Sequence, residues 1–189
     1  MKIFIHIQFI VVVILLVGCS SASKVSYTPE QIASFKDFIK NKSYTFLADT
    51  ANPTMTNGVS AVANSGLWPT GGNISNILLQ GNNSYLKVMG DSIEADLPYF
   101  GERQMGGGYD SNTGISFNGI PTRYKEDYND SKNEVLITFT ITEKLETYQV
   151  TLSIFPNKKA TVIINSSQRF PIRYLGDIQA LKDDSAETF

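Results

Sequence analysis

The chain has 189 residues, with 16 lysines and arginines against 18 aspartates and glutamates and a net charge of −2 at pH 7. This length suits one domain with a sizeable core, so a second domain is not needed. The balanced charge excludes nucleic acid as the expected partner, because binding to a polyanion requires a clustered basic face.

The first residues have the pattern of a secretory signal. Lys2 precedes an apolar run from Ile7 to Val17 that only Gln8 interrupts, which matches the charged and apolar regions of a signal peptide. A helix needs roughly 20 apolar residues to cross a bilayer core, and this run ends before that length. We therefore predict that residues 1–18 form a signal peptide, with a membrane-spanning helix as the weaker alternative.

The signal ends in Leu16-Val17-Gly18-Cys19, which resembles the lipobox cut by the lipoprotein signal peptidase. We predict cleavage between Gly18 and Cys19 and acylation of Cys19, since two or three acyl chains together give a durable anchor. The alternative is an ordinary thiol behind a secretory signal, which is unusual in an exported protein with one cysteine. Residues 19–27 then form a lipidated, flexible tether. The predicted location is the cell envelope, at the outer membrane and facing the periplasm.

Such processing would leave the mature domain without imidazole or thiol groups. The only histidine, His6, lies in the signal peptide, and the only cysteine, Cys19, carries the lipid. Catalysis by Ser-His-Asp or Cys-His groups and the usual zinc sites are thereby excluded. We predict that the protein is not an enzyme and that it uses neither a cofactor nor a metal ion.

One helix is predicted directly after the tether. Thr28 and Gln31 have the spacing of a capping box, and Pro29 occupies the first helical position, where its missing N–H has no cost. One apolar stripe follows at i, i+3 and i+7, formed by Ile32, Phe35 and Ile39. We expect this helix to pack on a sheet, with a partner-binding helix as the alternative.

The remaining patterned segments alternate as strands do. They are residues 43–48, 84–90, 92–97, 135–141, 148–154 and 160–164. Short polar turns such as Pro156 to Lys159 predict antiparallel hairpins, and the lack of intervening helical patterns argues against parallel βαβ units. The predicted fold class is therefore α+β, an N-terminal amphipathic helix packed on an antiparallel β-meander that can curl toward a half-barrel. This single domain covers residues 28–179, with 180–189 as a frayed tail.

One cluster of carboxylates keeps a catalytic alternative open. Asp91, Glu94 and Asp96 lie close in sequence, and a glycosidase needs two carboxylates roughly 5–10 Å apart. Glu94 and Asp96 would share one face of a strand, which is equally the pattern of a solvated edge. A carboxylate-dependent glycan hydrolase is therefore the second hypothesis for the function.

Several short segments of the chain form a pattern that can be recognised. They are Leu97-Pro98-Tyr99-Phe100-Gly101, Gly90-Asp91-Ser92-Ile93, Gly114-Ile115-Ser116-Phe117, Tyr44-Thr45-Phe46-Leu47-Ala48 and Ile154-Phe155-Pro156-Asn157. Together they resemble the domain of unknown function 4251, a family of exported lipoproteins of Bacteroidota. The resemblance covers roughly residues 31 to 178. It implies export and a lipid anchor, and it carries no activity.

Aromatic residues in and around the first of these segments are the candidate ligand contacts. Pro98 should end its strand, because proline lacks the N–H of a central ladder. Tyr99 and Phe100 then either plug the core under a turn or lie exposed with Trp68 and Tyr109, where aromatic faces can stack on a glycan or a peptide. The long segment from Thr50 to Asn73 has no sustained period and is predicted to be a loop.

The function favoured by these observations is that of an envelope lipoprotein without enzymatic activity. Its expected partners are the membrane, through the N-terminal lipid, and a glycan, a peptide or an envelope protein that the domain binds. A structural or assembly factor of the envelope is the third hypothesis, and it predicts an exposed apolar patch on the sheet.

Overall fold

The computed structural model describes residues 27–65, 73–79, 81, 83–105 and 113–181. The predicted signal peptide, Cys19 and the residues after 181 lie outside them. Within them the chain forms two helices and ten strands: α1 (Pro29–Lys40), β1 (Ser43–Pro53), α2 (Asn57–Asn64), β2 (Ile77–Leu78), β3 (Tyr85–Met89), β4 (Ser92–Leu97), β5 (Ile115–Gly119), β6 (Thr122–Asn129), β7 (Glu134–Glu143), β8 (Glu146–Ile154), β9 (Lys159–Ser166) and β10 (Ile172–Ala180). Across this part of the chain, no helix is long and apolar enough to cross a membrane.

One antiparallel sheet contains all the strands named above. Nine follow the order β5-β4-β3-β1-β10-β9-β8-β7-β6, and the short β2 pairs with β1. The sheet curls until its two ends approach each other. The ring of Phe117 on β5 lies 5.4 Å from that of Tyr148 on β8 and 6.4 Å from that of Phe139 on β7. The predicted antiparallel sheet and its curvature into a half-barrel are therefore confirmed.

The fold class is mainly β, which corrects the predicted α+β class. α1 does begin with the predicted capping box, in which the Gln31 amide donates to the Thr28 hydroxyl at 3.3 Å and the Thr28 amide donates to the Gln31 side chain at 2.9 Å. However, α1 buries only Phe35 and Ile39, and α2 buries only Val59. The sheet therefore makes the core, and the helices cover a small part of it.

α1 also contacts the edge of the sheet at β6. The ammonium group of Lys36 lies 3.6 Å from the centre of the Tyr128 ring, and that of Lys42 lies 4.8 Å from the centre of the Tyr124 ring. Cation–π contacts are worth about 0.5–1 kcal/mol at exposed sites. The N-terminal segment is thus connected to the edge strand as well as to the core.

The edge strand β6 has features that oppose pairing with another chain. It pairs only with β7 among the described strands, and all its residues are exposed or half-buried. Its register shifts between Thr122 and Lys125, where Arg123 has a φ of 53°. Bulges and charged residues are the means by which edge strands avoid intermolecular pairing. Pairing of another chain with β6 is therefore not expected.

Two fully buried tyrosines differ in whether the hydroxyl has a partner. Tyr44 and Tyr174 are both 0% exposed. The Tyr174 hydroxyl donates to the Pro98 carbonyl at 2.9 Å, whereas that of Tyr44 has no hydrogen-bond partner among the described residues. An unpaired buried polar group costs about 1–3 kcal/mol, and a satisfied hydrogen bond contributes about 0.5–1.5 kcal/mol.

These two sites give a matched pair of predictions. Tyr44→Phe should raise the free energy of unfolding by about 1 kcal/mol, because it removes an unpaired hydroxyl, and Tyr174→Phe should lower it by about 1 kcal/mol. Urea denaturation of both variants measures the difference. An equal loss of stability in the two would contradict the assignment.

Candidate functional site

The Leu97–Gly101 block crosses one end of the half-barrel. β4 ends at the buried Leu97, as the proline after it predicts. The Pro98 carbonyl accepts the hydrogen bond from Tyr174, and the Tyr99 hydroxyl lies 2.8 Å from the Glu102 carbonyl and 3.0 Å from the Phe170 carbonyl, either of which can accept its proton. The block is therefore hydrogen-bonded to β10 and to the segment that precedes it.

Gly101 is required by the position of the Tyr99 ring. A Cβ atom at Gly101 would lie 2.4 Å from the Tyr99 hydroxyl oxygen and 2.6 Å from its Cζ atom. Real Cβ atoms do not come so close to other atoms, so any side chain here would displace the ring. The sequence pattern Tyr-Phe-Gly is thus explained by packing of the tyrosine over the glycine.

A short backbone bridge continues this attachment. The Gln104 amide donates to the Gln168 carbonyl at 2.8 Å, and the Phe170 amide donates to the Glu102 carbonyl at 3.1 Å. Arg103 and Arg169 face each other across this antiparallel bridge. Two arginines are thereby placed side by side at the end of the half-barrel.

A buried ion pair lies beneath the bridge. Arg169 and Glu146 are 4% and 7% exposed, and their side chains form two hydrogen bonds, Nε to Oε1 at 2.8 Å and Nη2 to Oε2 at 3.2 Å. The Ser166 hydroxyl also donates to Glu146, and Arg169 donates to the Thr113 carbonyl at 2.7 Å. The Tyr99 ring completes the enclosure, with its centre 5.1 Å from the Arg169 guanidinium carbon.

This environment lowers the pKa of the Glu146 carboxyl group below its ordinary value. Burial alone would raise the pKa, but the hydrogen bonds from Arg169 and Ser166 and the charge of Arg169 together outweigh it. Burial and the neighbouring Glu146 charge raise the pKa of Tyr148. Glu146 is therefore ionised and Tyr148 neutral at physiological pH.

The shifted pKa predicts a pH dependence of stability. Because the folded-state pKa of Glu146 lies below its ordinary value of 4.5, the unfolded chain takes up the proton first as the pH falls. The stabilisation is present above about pH 4.5 and is lost as the pH falls through the folded-state pKa. We expect the wild type to lose more unfolding free energy than Glu146→Gln between about pH 5 and about pH 3. Denaturant titrations at a series of pH values measure this, and parallel curves would contradict it.

Arg103 differs from Arg169 in having few contacts of its own. Its Nη2 atom lies 3.7 Å from Glu146 Oε2, which is an ion pair but too long for a hydrogen bond. Its Nε atom is buried and has no hydrogen-bond partner in the described part of the chain, while the side chain as a whole is 30% exposed. The cluster of two arginines and one glutamate keeps one positive charge in excess. The cluster can therefore bind an anionic group at the exposed part of the Arg103 side chain.

The aromatic residues predicted as ligand contacts divide into two groups. Tyr99 and Phe100 are half-buried and pack against the core. Trp68 and Tyr109 lie outside the described residues, as do Gly18 and Cys19. A ligand-binding role for these aromatic residues remains a prediction.

The predicted carboxylate cluster lies on the outer face of the sheet. Ile93, Ala95 and Leu97 of β4 are buried, so Glu94 and Asp96 between them point away from the core. The Tyr85 hydroxyl donates to Glu94, and Asp91 in the β3–β4 turn forms an ion pair with Lys42 at 3.4 Å. No group of three or more histidine, cysteine, aspartate or glutamate side chains within the described ranges could hold a metal ion.

A concave feature lies at α1, away from these charged residues. An open groove of about 630 Å³ runs between the helix and the turn at Pro156 to Lys158. Its charged lining residues, Glu30 and Lys158, are both exposed. The charged cluster around Arg103 offers more specific polar recognition than this groove, so we place the candidate site there. We name it the Arg103 site. It comprises Arg103, Glu146, Arg169, Tyr99 and Ser166.

The charged residues of the Arg103 site were missed by the sequence interpretation. One signal was available for Glu146. It precedes Tyr148, Val150 and Leu152 by even steps, so it occupies a core-facing position of β8. A charged residue in that register indicates a buried partner of opposite charge. No comparable signal marks Arg103 or Arg169, since both lie outside the strands.

Comparison with known proteins gives a family and a fold. Residues 28–178 match the family described as Domain of unknown function (DUF4251). The chain is similar to the crystal structure of a DUF4251 family protein from Bacteroides eggerthii, with a TM-score of 0.53 and 12% identity over 80% of this chain and 88% of that chain. At this identity, the likeness shows the fold alone. No curated protein matches the chain. The family match spans most of the chain and includes the Leu97–Gly101 block on which the resemblance was based, and this protein therefore belongs to the DUF4251 family.

Proposed function

We propose that the protein is a lipid-anchored component of the bacterial cell envelope whose half-barrel binds a ligand or a protein partner at the Arg103 site and catalyses no reaction. The observation that carries this proposal is the partly exposed side chain of Arg103, which lies beside a buried ion pair and makes no hydrogen bond through Nε to any residue that the structure describes. A charged side chain on a backbone that the bridge holds in place is suited to recognition, because the backbone need not be ordered on binding.

The lipid anchor is supported by the sequence before the folded domain. Leu16-Val17-Gly18-Cys19 fits a lipobox. From Cys19 to Tyr27, an extended chain reaches at most ~30 Å. The half-barrel would therefore stay within about its own diameter of the membrane, where its partners are expected to be envelope components.

The absence of catalysis is supported by the groups that remain after processing. His6 and Cys19 are the only imidazole and thiol in the sequence. Among tyrosines that could act as bases, the pKa of Tyr85 is raised to about 12 by its hydrogen bond to Glu94, and burial raises that of Tyr99 to about 12. A general base needs a pKa near the working pH, which these groups do not have.

The anchor is tested by membrane partition. Wild-type protein expressed in a bacterial host that acylates lipoproteins should enter the detergent phase, and Cys19→Ala should stay in the aqueous phase, because acylation adds ~0.8 kcal/mol of membrane affinity per buried methylene. Ser20→Ala is the matched control and should partition as the wild type does. Equal partition of the wild type and Cys19→Ala would overturn the anchor.

The absence of catalysis is tested by turnover. Purified protein incubated with envelope glycans and peptides should release no product. Turnover that Glu94→Gln abolishes would overturn the proposal and favour a carboxylate-dependent hydrolase.

A second candidate function is an assembly factor that contacts another protein through the outer face of the sheet. Leu78 on β2 and Leu175 on β10 both pair with Thr50 on β1, so the three side chains share one face. The leucines are 51% and 41% exposed. Capture of partners from detergent-solubilised membranes discriminates the two candidates, since Leu78→Ser with Leu175→Ser should abolish capture by an assembly factor, whereas Arg103→Met should abolish capture at the Arg103 site.

A further inference from the structure

We propose that Arg103 binds a carboxylate group of the ligand at this end of the half-barrel, an inference that rests on the binding function proposed above. The site, as the structure describes it, has a cation with free donors, a fixed backbone and an excess of positive charge. Each of these three features bears on the chemistry of the ligand.

Arg103 makes few polar contacts with the residues that the structure describes. A guanidinium carries five N–H groups in a planar fork. Its ion pair with Glu146 is 3.7 Å long, and its Nε atom is buried and has no hydrogen-bond partner within the described ranges. A carboxylate presents two coplanar oxygens that match two N–H groups of such a fork. The side chain is 30% exposed, so a ligand of this class can approach the part of it that lies beyond the buried Nε atom.

The charge balance favours an anion. Glu146 already accepts two hydrogen bonds from Arg169 and one from Ser166, so its capacity for Arg103 is small. The other nearby acid, Glu102, points toward the start of α2, since a Cβ atom at Gly58 would lie 2.9 Å from its Oε2 atom. Counting only the residues that the structure describes, one unit of positive charge remains at Arg103.

The size of this charge favours a carboxylate over a phosphate. Arg169 is buried and its donors are taken by Glu146 and the Thr113 carbonyl. Arg103 is thus the one accessible guanidinium of the cluster, and a phosphate group with about two negative charges is typically held by several cationic or backbone donors. A single carboxylate matches one guanidinium in both charge and geometry.

The position of Arg103 is fixed before any ligand binds. Its neighbours Glu102 and Gln104 form the backbone hydrogen bonds of the bridge, at 3.1 Å to Phe170 and 2.8 Å to Gln168. A fixed backbone reduces the ordering cost of binding, because only the side chain has to be ordered.

The inference is tested by titrating the detergent-solubilised full-length protein with two carboxylates and their neutral counterparts, by isothermal titration calorimetry. The probes are D-glucuronate against D-glucose, for a sugar acid, and N-acetylalanine against its amide, for a peptide terminus. At least one carboxylate should bind while its neutral counterpart does not. The probe that binds identifies the source of the carboxylate.

Three variants assign the binding to Arg103. Arg103→Met should weaken the binding of the carboxylate about ten- to a hundredfold, as expected for loss of a charge-assisted hydrogen-bonded pair. Arg103→Lys keeps the charge near Glu146 but loses the fork, and should weaken binding by a smaller factor while the protein stays folded. The matched control is Arg173→Met, on the exposed face of β10, which should bind as the wild type does.

Two results would overturn the inference: a wild type that binds neither carboxylate, or affinities that are unchanged in both Arg103 variants. Neither result bears on the membrane partition of Cys19→Ala or on the capture of partners from membranes. Failure of the carboxylate assignment is therefore distinguishable from failure of the proposed function.

Discussion

Gly176→Ala should prevent the domain from folding or lower its free energy of unfolding by more than about 4 kcal/mol. A Cβ atom at Gly176 would lie 1.9 Å from the Leu47 carbonyl oxygen and 3.0 Å from the Ala48 Cα atom. Both are backbone atoms of β1 and cannot rotate away. The close approach occurs where the register of β1 and β10 shifts between Ala48 and Thr50, so the clash falls in the middle of the sheet.

Urea denaturation measures this effect, and the chain offers a matched control. Gly58→Ala places a Cβ atom 2.9 Å from the Glu102 carboxylate, the mobile end of a side chain. Because alanine also favours helix by about 0.5–1 kcal/mol over glycine, Gly58→Ala should change stability by less than about 1 kcal/mol. Similar unfolding midpoints for Gly176→Ala and the wild type would show that the described pairing of β1 with β10 is wrong.

Glu146→Gln should lower the free energy of unfolding by about 3–5 kcal/mol, the usual cost of breaking a buried ion pair. It leaves two arginines, Arg169 and Arg103, without their shared counterion. Arg169→Met should cost less, because Glu146 keeps the hydrogen bond from Ser166 and the ion pair with Arg103. A larger loss of stability in Glu146→Gln than in Arg169→Met would therefore indicate that both arginines share Glu146 as their counterion.

The double variant gives the interaction energy within this pair. Glu146→Gln combined with Arg169→Met removes both buried charges, so its loss should be smaller than the sum of the two single losses. The control is the exposed pair of Lys159 and Asp177, 2.8 Å apart and 62% and 46% exposed, where Asp177→Asn should change stability by about 1 kcal/mol or less. Equal losses at the buried and exposed pairs would contradict the burial of Glu146.

The elements with strong local signals were predicted from the sequence, and those without such signals were missed. The capping box of α1 and the alternation of β7, β8 and β9 are confirmed. β6 was missed because its residues are exposed or half-buried and therefore show no alternation of apolar side chains. In β10, Gly176 stands at a core-facing position between Tyr174 and Ile178, which weakens the alternating pattern.

The segment from Thr50 to Asn73 shows how tertiary context changes a local prediction. It was predicted to be one long loop, yet β1 extends to Pro53 and α2 begins at Asn57. Asn57-Gly58 favours a turn when considered alone. In the structure the Thr56 hydroxyl accepts a hydrogen bond from the Val59 amide at 3.1 Å, and Val59 is buried. Capping and burial of one side chain together stabilise the short helix.

The candidate site was only half predictable for a similar reason. The Leu97–Gly101 block could be recognised because its residues are adjacent in sequence. Glu146 and Arg169 are 23 residues apart, and they meet only because the β8–β9 register and the bridge at Arg103 bring their segments together. Such a pair follows from strand register, which the sequence pattern does not specify to the residue.

The membrane anchor is the claim on which the proposed location and the lack of imidazole and thiol chemistry both depend. Mass spectrometry of the N-terminal peptide, from protein isolated out of its native membranes, tests it most directly. We predict a peptide that begins at Cys19 and carries the mass of two or three acyl chains with their glyceryl group. A peptide that retains residues 1–18, or one that begins at an unmodified Cys19, would contradict the account.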